Sequence, residues 1–170
     1  MKQLFILRSI PGSGKSIIAK ILANGLKESR ILSADDLRIV DGKYQFILEH
    51  EPYIWEEFER LFHEALADGV ENIIIDNTNL KPIHYYQYKE DAIASGYIVH
   101  EIIVGDFDVE TSYKRGTHDV PIDKIQMMKD AFEFPTIDKC KRNQIEKQND
   151  NWTKTFCSIF VNHPVTPWET

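Results

Sequence analysis

The chain has 170 residues, 42% of them hydrophobic, which suffices to bury one core and favours a single domain over 1–170. A formal net charge of −7 excludes a surface that attracts nucleic acid as a whole, so any polyanion has to be met by a local basic patch. Two cysteines exclude a disulfide framework, and no apolar run approaches the roughly 20 residues that span a bilayer, so we expect a cytoplasmic protein without membrane contact.

Apolar runs alternate with stretches of helical periodicity along the chain. The predicted strands are 3–8, 30–33, 72–76, 97–104 and 155–161, and the predicted helices are 15–27, 52–67, 82–94, 108–115, 121–133 and 136–148. Strand followed by helix, repeated, is typical of an α/β fold whose parallel sheet is covered by helices on both faces. Ligands of such sheets bind beyond the carboxyl ends of the strands, so the residues that follow each strand are the candidates for a site.

The first strand is followed by a phosphate-binding loop. Its sequence is Ser9-Ile10-Pro11-Gly12-Ser13-Gly14-Lys15-Ser16, which matches G-x-x-x-x-G-K-[ST] except that a serine replaces the first glycine. Such a loop turns backbone N–H groups toward one point, and the helix that follows adds the positive end of its dipole. We expect Pro11, Gly12, Ser13, Gly14, Lys15 and Ser16 to hold the phosphates of ATP, with Lys15 at the β- and γ-phosphates and the Ser16 hydroxyl on Mg²⁺.

The second strand is followed by Ser33-Ala34-Asp35-Asp36-Leu37-Arg38. A carboxylate at the strand edge can accept the proton of a hydroxyl nucleophile, as the catalytic aspartate of kinases does. The alternative is a helix N-cap formed by Ser33 or Asp35. We predict Asp35 as the base, because Asp36 is expected to begin the following turn.

The third strand ends in Asp76-Asn77-Thr78-Asn79. Three isoleucines before an aspartate fit a Walker B strand, whose carboxylate orients Mg²⁺, so Asp76 joins Ser16 as a predicted metal ligand. Asn77 and Asn79 are expected at the same carboxyl edge of the sheet, where they would contact the phosphate acceptor. Turn chemistry is the alternative for both, since asparagine readily hydrogen-bonds nearby backbone.

The fourth strand is followed by a segment that is predicted to be a lid, about 106–121. It contains the cationic pair Lys114 and Arg115 next to Gly116, and Pro121 then begins a helix. A closing lid would bring Arg115 onto the transferring phosphate. The alternative is that both cations only complement a helix C-terminus.

Two other features are interpreted as structural. The helix over 52–67 has an apolar stripe at helical spacing, including Phe58 and Phe62 and with Trp55 nearby, which favours a core face over a base-stacking platform. The six histidines show no metal-ligand spacing, and none is assigned to a site.

The motifs together resemble the kinase domain of bacteriophage polynucleotide 5′-hydroxyl kinase, over roughly residues 1–133. The resemblance rests on Pro-Gly-Ser-Gly-Lys-Ser at 11–16, Asp35-Asp36 with Arg38, Thr78-Asn79-Leu80, and Lys114-Arg115-Gly116-Thr117 with Val120-Pro121-Ile122-Asp123. It implies a P-loop kinase that uses ATP and Mg²⁺ to phosphorylate the 5′-hydroxyl end of a nucleic acid. It also implies that Asp35 is the general base, that Arg38 contacts the phosphate of the acceptor strand, and that Arg115 is the lid arginine.

The chain departs from that family at two positions. Asn77 stands where the family has an aspartate before Thr-Asn-Leu, and Ala34 replaces a residue that is commonly basic. Ile-Ile-Ile-Asp-Asn-Thr-Asn-Leu, with Gly42-x-Tyr44-x-Phe46 upstream, is more similar to the kinase-like P-loop domains of the Nedd4-binding-protein type. A kinase for a nucleoside, a modified base or a small hydroxyl compound therefore stays an alternative, as does a non-catalytic ATP-binding regulatory module. The oligomeric state and the role of a predicted helix and strand within 134–170 are left open.

Overall fold

The computed structural model describes residues 1–135 and contains six strands and six α-helices in that range. The strands are β1 (Gln3–Arg8), β2 (Ser29–Leu32), β3 (Ile39–Val40), β4 (Lys43–Tyr44), β5 (Asn72–Asp76) and β6 (Ile98–Ile103). The helices are α1 (Lys15–Gly25), α2 (Ala34–Leu37), α3 (Glu51–Ala67), α4 (Tyr86–Ala94), α5 (Val109–Arg115) and α6 (Ile122–Asp130). The helix predicted over 136–148 and the strand predicted over 155–161 lie outside the described residues.

Four strands form one parallel sheet in the order β2, β5, β1, β6. Leu4 of β1 lies opposite Ile73 of β5 on one side and opposite Val99 of β6 on the other, and Leu32 of β2 lies opposite Ile75. Because every pairing is parallel, the carboxyl ends of all four strands meet at one edge. The predicted α/β class with a parallel sheet is confirmed.

The sheet is covered on both faces. Successive side chains of a strand point to opposite faces, so β1 supplies both sides of the core. Leu4 belongs to one cluster with Phe58 and Phe62 of α3, while Leu7 belongs to a cluster on the other face with Ala19 of α1. The apolar stripe of α3 is therefore part of the core, as its spacing predicts.

A buried arginine fixes the carboxyl end of β1. Arg8 is fully buried; its Nε donates to the carbonyl of Asn79 at 3.1 Å and its Nη2 to the carbonyl of Glu133 at 2.6 Å. Its Nη1 lies 3.5 Å from the carboxylate of Glu101 on β6. A buried charge is tolerated only when it is paired and hydrogen-bonded, so this network joins the ends of β1, β5 and β6 at the edge that carries the site.

Two local elements differ from the sequence-based prediction. The antiparallel hairpin of β3 and β4 was not predicted, although its turn signal is present: Asp41 and Gly42 both have positive φ, at 51° and 74°, as a type I′ turn requires. The helix predicted over 82–94 is divided into a 3₁₀ turn at Pro82–His84 and α4, because Tyr85 leaves helical geometry with φ −136°. Between residues 1 and 135, no helix has the length and apolar character needed to cross a membrane.

Candidate active site

The loop between β1 and α1 forms a cradle of backbone groups at the sheet edge. Gly12 and Gly14 have φ of 73° and 93°, a region in which glycine is the least strained residue, and Gly14 is the N-cap of α1. No acidic residue lies in the first turn of α1 that would compete for its N-terminal N–H groups. The geometry fits a phosphate bound at the start of α1.

The serine that replaces the first glycine of the motif ties this loop to its neighbours. Ser9 is fully buried; its backbone N–H donates to the carbonyl of Thr78 at 2.9 Å, and its hydroxyl donates to the carbonyl of Val104 beyond β6. The hydroxyl thus anchors the loop to the segment after β6, while the backbone N–H anchors it to the segment after β5. This explains why a serine is compatible with the phosphate-binding loop at that position.

The loop also packs directly against the segment that was predicted to be a lid. A Cβ atom on Gly12 would lie 1.9 Å from the carbonyl oxygen of Ser112 in α5, well inside van der Waals contact. Only glycine permits this approach, and its positive φ adds a second requirement for glycine.

We expect Gly12→Ala to weaken ATP binding strongly and to lower the free energy of unfolding by about 1–3 kcal/mol, the usual cost of overpacking. Calorimetric titration with ATP and thermal melting measure the two effects. Gly96→Ala is the matched control, because Gly96 has φ 82° but no atom within 4 Å of an added Cβ. Equal losses in the two variants would show that backbone strain alone matters and that the contact with Ser112 does not.

Lys15 is the cation at the base of the cradle. It is only 8% exposed, and its Nζ donates to the carbonyl of Ile10 at 2.9 Å. Burial lowers the pKa of Lys15, while the nearby carboxylates of Asp76 and Asp35 act in the opposite direction. A polyphosphate placed here would supply further negative charge and compensate the cost of burying this ammonium group.

Asp76 ends β5 beside the start of α1. Burial raises its pKa, with the Ser16 hydroxyl and the Lys15 ammonium favouring the charged form and Asp35 and Asp36 opposing it. Its Oδ1 atom is buried and has no hydrogen-bond partner among residues 1–135. Mg²⁺ takes oxygen ligands and is commonly held by one or two carboxylates together with substrate phosphates, so Asp76 and Ser16 fit this ion. In the described part of the chain no group of three His, Cys, Asp or Glu residues is arranged for a metal, so the phosphates would have to complete the ligand set.

Asp35 lies in α2, directly beyond β2, with a half-exposed carboxylate. Its Oδ1 accepts a hydrogen bond from Nη1 of Arg38 at 2.8 Å. Arg38 in turn donates from Nε and Nη2 to the two carboxylate oxygens of Glu51, at 2.8 and 2.6 Å. Burial lowers the pKa of Arg38, but its hydrogen bonds to Glu51 and the negative charges of Glu51 and Asp35 together outweigh that effect and raise the pKa. Arg38 is thus a nearly buried, permanently charged support for Asp35.

Two aromatic residues complete the surroundings of Asp35. The hydroxyl of Tyr44 donates to Asp35 Oδ1 at 3.3 Å, and the His118 ring stacks on the Tyr44 ring with centroids 4.0 Å apart. Nε2 of His118 lies 3.9 Å from Asp35 Oδ2. Burial, with the Asp35 charge, raises the pKa of Tyr44 to about 12, so its hydroxyl keeps the proton that it donates.

The side chains of the two asparagines after β5 hydrogen-bond to the protein backbone. Asn77 Oδ1 accepts from the backbone N–H of Ala34 at 2.9 Å and so caps α2, while Ser33, the N-cap residue, makes no capping bond with its side chain. Asn79 is buried with φ 45°, and its amide donates to the carbonyl of Leu7 at 2.8 Å. Contact of either side chain with an acceptor stays a prediction. Of these two side chains, that of Asn77 keeps a buried amide nitrogen that has no partner in the described part of the chain.

Arg115 is the last residue of α5 and is exposed. Within the described residues it forms neither a hydrogen bond nor an ion pair, whereas its neighbour Lys114 lies 4.0 Å from Glu110. The structure brings Lys15, Ser16, Asp35 and Asp76 to one edge of the sheet, and the packing of α5 on Gly12 places the predicted lid segment beside them. The role of Arg115 stays a prediction.

Sequence reasoning missed Glu51, Tyr44 and His118 as parts of the site. Glu51 begins α3 and Tyr44 lies in the short hairpin, and neither stands directly after a strand of the parallel sheet. His118 was set aside with the other histidines because no metal-ligand spacing included it. The only available signal was the cluster of aromatic residues after the Asp41-Gly42 turn.

Comparison with known proteins gives similarity to a curated human protein and to solved structures, whereas no family model matches the chain. NEDD4-binding protein 2 of Homo sapiens is 30% identical over 136 residues, which cover 76% of this chain and 8% of that protein. A solved Pnkp1/Rnl/Hen1 complex is similar at 27% identity and a TM-score of 0.52, over 67% of this chain and 38% of the other. Kti12 of Chaetomium thermophilum with ADP-AlF3 shares the fold at 16% identity and a TM-score of 0.57, over 78% of this chain and 81% of the other. The chain spans less than a tenth of the first curated relatives that it matches.

Proposed function

Because the chain is a kinase-like P-loop domain with the α/β fold of P-loop NTPases, we propose that it transfers the γ-phosphate of ATP to the 5′-hydroxyl of a polynucleotide. The observation that carries this proposal is the position of Asp35. Its carboxylate stands beyond β2, close enough to Lys15 and Asp76 for their charges to act on one another. A protein that only binds nucleotide has no use for a supported carboxylate at that point.

In this proposal, one set of residues binds the phosphate donor and another acts on the acceptor hydroxyl. The N–H groups of the loop and Lys15 hold the β- and γ-phosphates, and Ser16 and Asp76 would hold Mg²⁺, which neutralises phosphate charge when it is bound. Asp35 accepts the proton of the acceptor hydroxyl as the new P–O bond forms and the bond to the leaving ADP oxygen breaks. The hydrogen bond from Arg38 orients the Asp35 carboxylate before the acceptor arrives.

A polynucleotide acceptor is supported by the 27% identity with a Pnkp1-containing complex and by Arg38 next to the proposed base. The Arg38 guanidinium has two N–H groups beyond the three that bind Glu51 and Asp35, and these are the donors available for an acceptor phosphate. Asn77 supplies the buried amide nitrogen as a further candidate contact.

A small hydroxyl compound is the second candidate acceptor, and it is favoured by one observation. Arg38 is already paired with Glu51 and Asp35, so the net charge of these three groups is negative, and Ala34 adds no cation. A site with this negative net charge attracts a polyanion weakly.

Incubation of the protein with γ-labelled ATP and Mg²⁺ tests the proposal directly. The acceptor panel contains 5′-hydroxyl DNA, 5′-hydroxyl RNA, the matching 5′-phosphorylated strands, nucleosides and no acceptor. We expect label on the 5′-hydroxyl strands only, with an affinity that falls along a shallow slope with salt, corresponding to about two or three phosphate contacts.

The remaining outcomes each assign a different function. Label on nucleosides with equal efficiency and no salt dependence would replace the polynucleotide by a small acceptor. Release of labelled phosphate without transfer to any acceptor would contradict the kinase proposal and favour a nucleotide-hydrolysing regulatory module.

A further inference from the structure

The loop after α5 brings His118 close to the proposed base, Asp35. Gly116 follows α5 and Pro121 precedes α6. His118 lies between them with its side chain 34% exposed, while Thr117 and Asp119 on either side are exposed. A positive φ of 49° at Asp119 turns the chain directly after the histidine. The loop thus directs the His118 ring toward the hairpin of β3 and β4.

The contacts of that ring are not equal in strength. The Tyr44 and His118 rings lie 4.0 Å apart at an angle of 28°, which is full stacking contact. The 3.9 Å between His118 Nε2 and Asp35 Oδ2 is beyond hydrogen-bond range. The strongest physical link from the loop to Asp35 therefore passes through the Tyr44 ring and its hydroxyl, which donates to Asp35 Oδ1.

We propose that His118 is a positioning residue, which, by stacking on Tyr44, holds the Tyr44 hydroxyl on Asp35 Oδ1 and leaves Asp35 Oδ2 for the acceptor hydroxyl. This inference rests on the proposed kinase function and adds to it a link between the predicted lid segment and the acceptor side. The charged groups that face the His118 ring are Asp35, with Arg38 behind it, from α2, and the Tyr44 hydroxyl from β4. Asp119 is the acidic neighbour on its own loop.

The expected consequence is an effect on turnover rather than on ATP binding. The half-exposed Asp35 side chain can rotate when one of its supports is removed, and a misplacement of about 1 Å at a reacting group can cost 10²-fold in rate. Arg38 remains in place in such a variant, so the loss should stay below that of removing the carboxylate itself.

The experiment compares His118→Ala, His118→Phe and Tyr44→Leu with His63→Ala, which removes an exposed histidine of α3 that lies outside the site. We expect His118→Ala and Tyr44→Leu to lower kcat by about 10- to 100-fold with an unchanged KM for ATP. The double variant should be little worse than either single one, because both remove the same contact. His118→Phe keeps the ring and should restore most of the lost kcat.

Two results would overturn the proposal. One is a His118→Phe variant as impaired as His118→Ala, since the nitrogen rather than the stacked ring would then be required. The other is a kcat for His118→Ala equal to that of His63→Ala.

A second measurement keeps the inference independent of the acceptor. In the NMR spectrum, the ring protons of His118 should be shifted upfield by the Tyr44 ring, should return toward their usual positions in Tyr44→Leu, and should move in Asp35→Asn. A wild type that phosphorylates no acceptor would contradict the proposed function, and these shifts would still decide whether the stack is coupled to Asp35. Shifts that neither substitution changes would overturn the coupling.

Discussion

Asp35→Asn is expected to lower the rate of phosphoryl transfer by about 10²–10⁴-fold, the usual contribution of a general base. Asparagine has nearly the same shape and can still accept the hydrogen bond from Arg38, but it cannot take the proton of the acceptor hydroxyl. ATP affinity should be almost unchanged, because the proposed phosphate contacts are those of the loop and Lys15. Single-turnover rates and nucleotide titration measure the two quantities separately.

Two further substitutions serve as matched controls for this prediction. Asp36→Asn changes the adjacent, exposed carboxylate and should leave transfer close to the wild-type rate. Lys15→Ala should weaken both ATP binding and turnover, since Lys15 meets phosphate charge in the ground state and in the transition state. An Asp35→Asn variant with normal transfer beside an inactive Asp36→Asn would show that the wrong carboxylate has been assigned.

Arg115→Lys is expected to be nearly as damaging as Arg115→Ala, with losses approaching about 10³-fold, the lower end for arginine fingers. Charge builds up on the equatorial and leaving oxygens during transfer, and a guanidinium offers a planar pair of donors that a lysine ammonium cannot reproduce. The location of Arg115 on the last turn of α5, in the element that packs on Gly12, is compatible with this role.

A role at the helix end predicts different values for the same variants. Lysine would then serve almost as well as arginine, and alanine would cost only about 0.3–1 kcal/mol of stability with little change in rate. Turnover and melting temperature of the two variants distinguish these roles. Lys114→Ala is the control, because Lys114 has the same charge on the same turn; an active but slightly less stable Arg115→Ala would remove Arg115 from the catalytic residues.

The sequence was sufficient to predict the parallel sheet and to identify the candidate residues for the phosphate donor. Continuous apolar runs such as 73–75, followed by helical periodicity, predict buried parallel strands, and these strands put their carboxyl ends at one edge by topology alone. The phosphate-binding loop is local in sequence, since its glycines, Lys15 and Ser16 follow one another directly. Asp35 and Asp76 could be identified because Asp35 comes shortly after β2 and Asp76 is the last residue of β5.

Only the tertiary structure decided what surrounds Asp35 on the acceptor side. Arg38 binds Glu51, thirteen positions further along and in another helix, and His118 reaches Tyr44 from the loop beyond α5. Neither pair has a periodicity or spacing that a sequence pattern can express. Likewise, Asn77 caps α2 rather than hydrogen-bonding its own turn, because β5 and β2 are neighbours in the sheet though far apart in the chain. Local motifs are determined by neighbouring residues, whereas the orientation of the candidate base depends on contacts that exist only after the sheet has brought distant segments together.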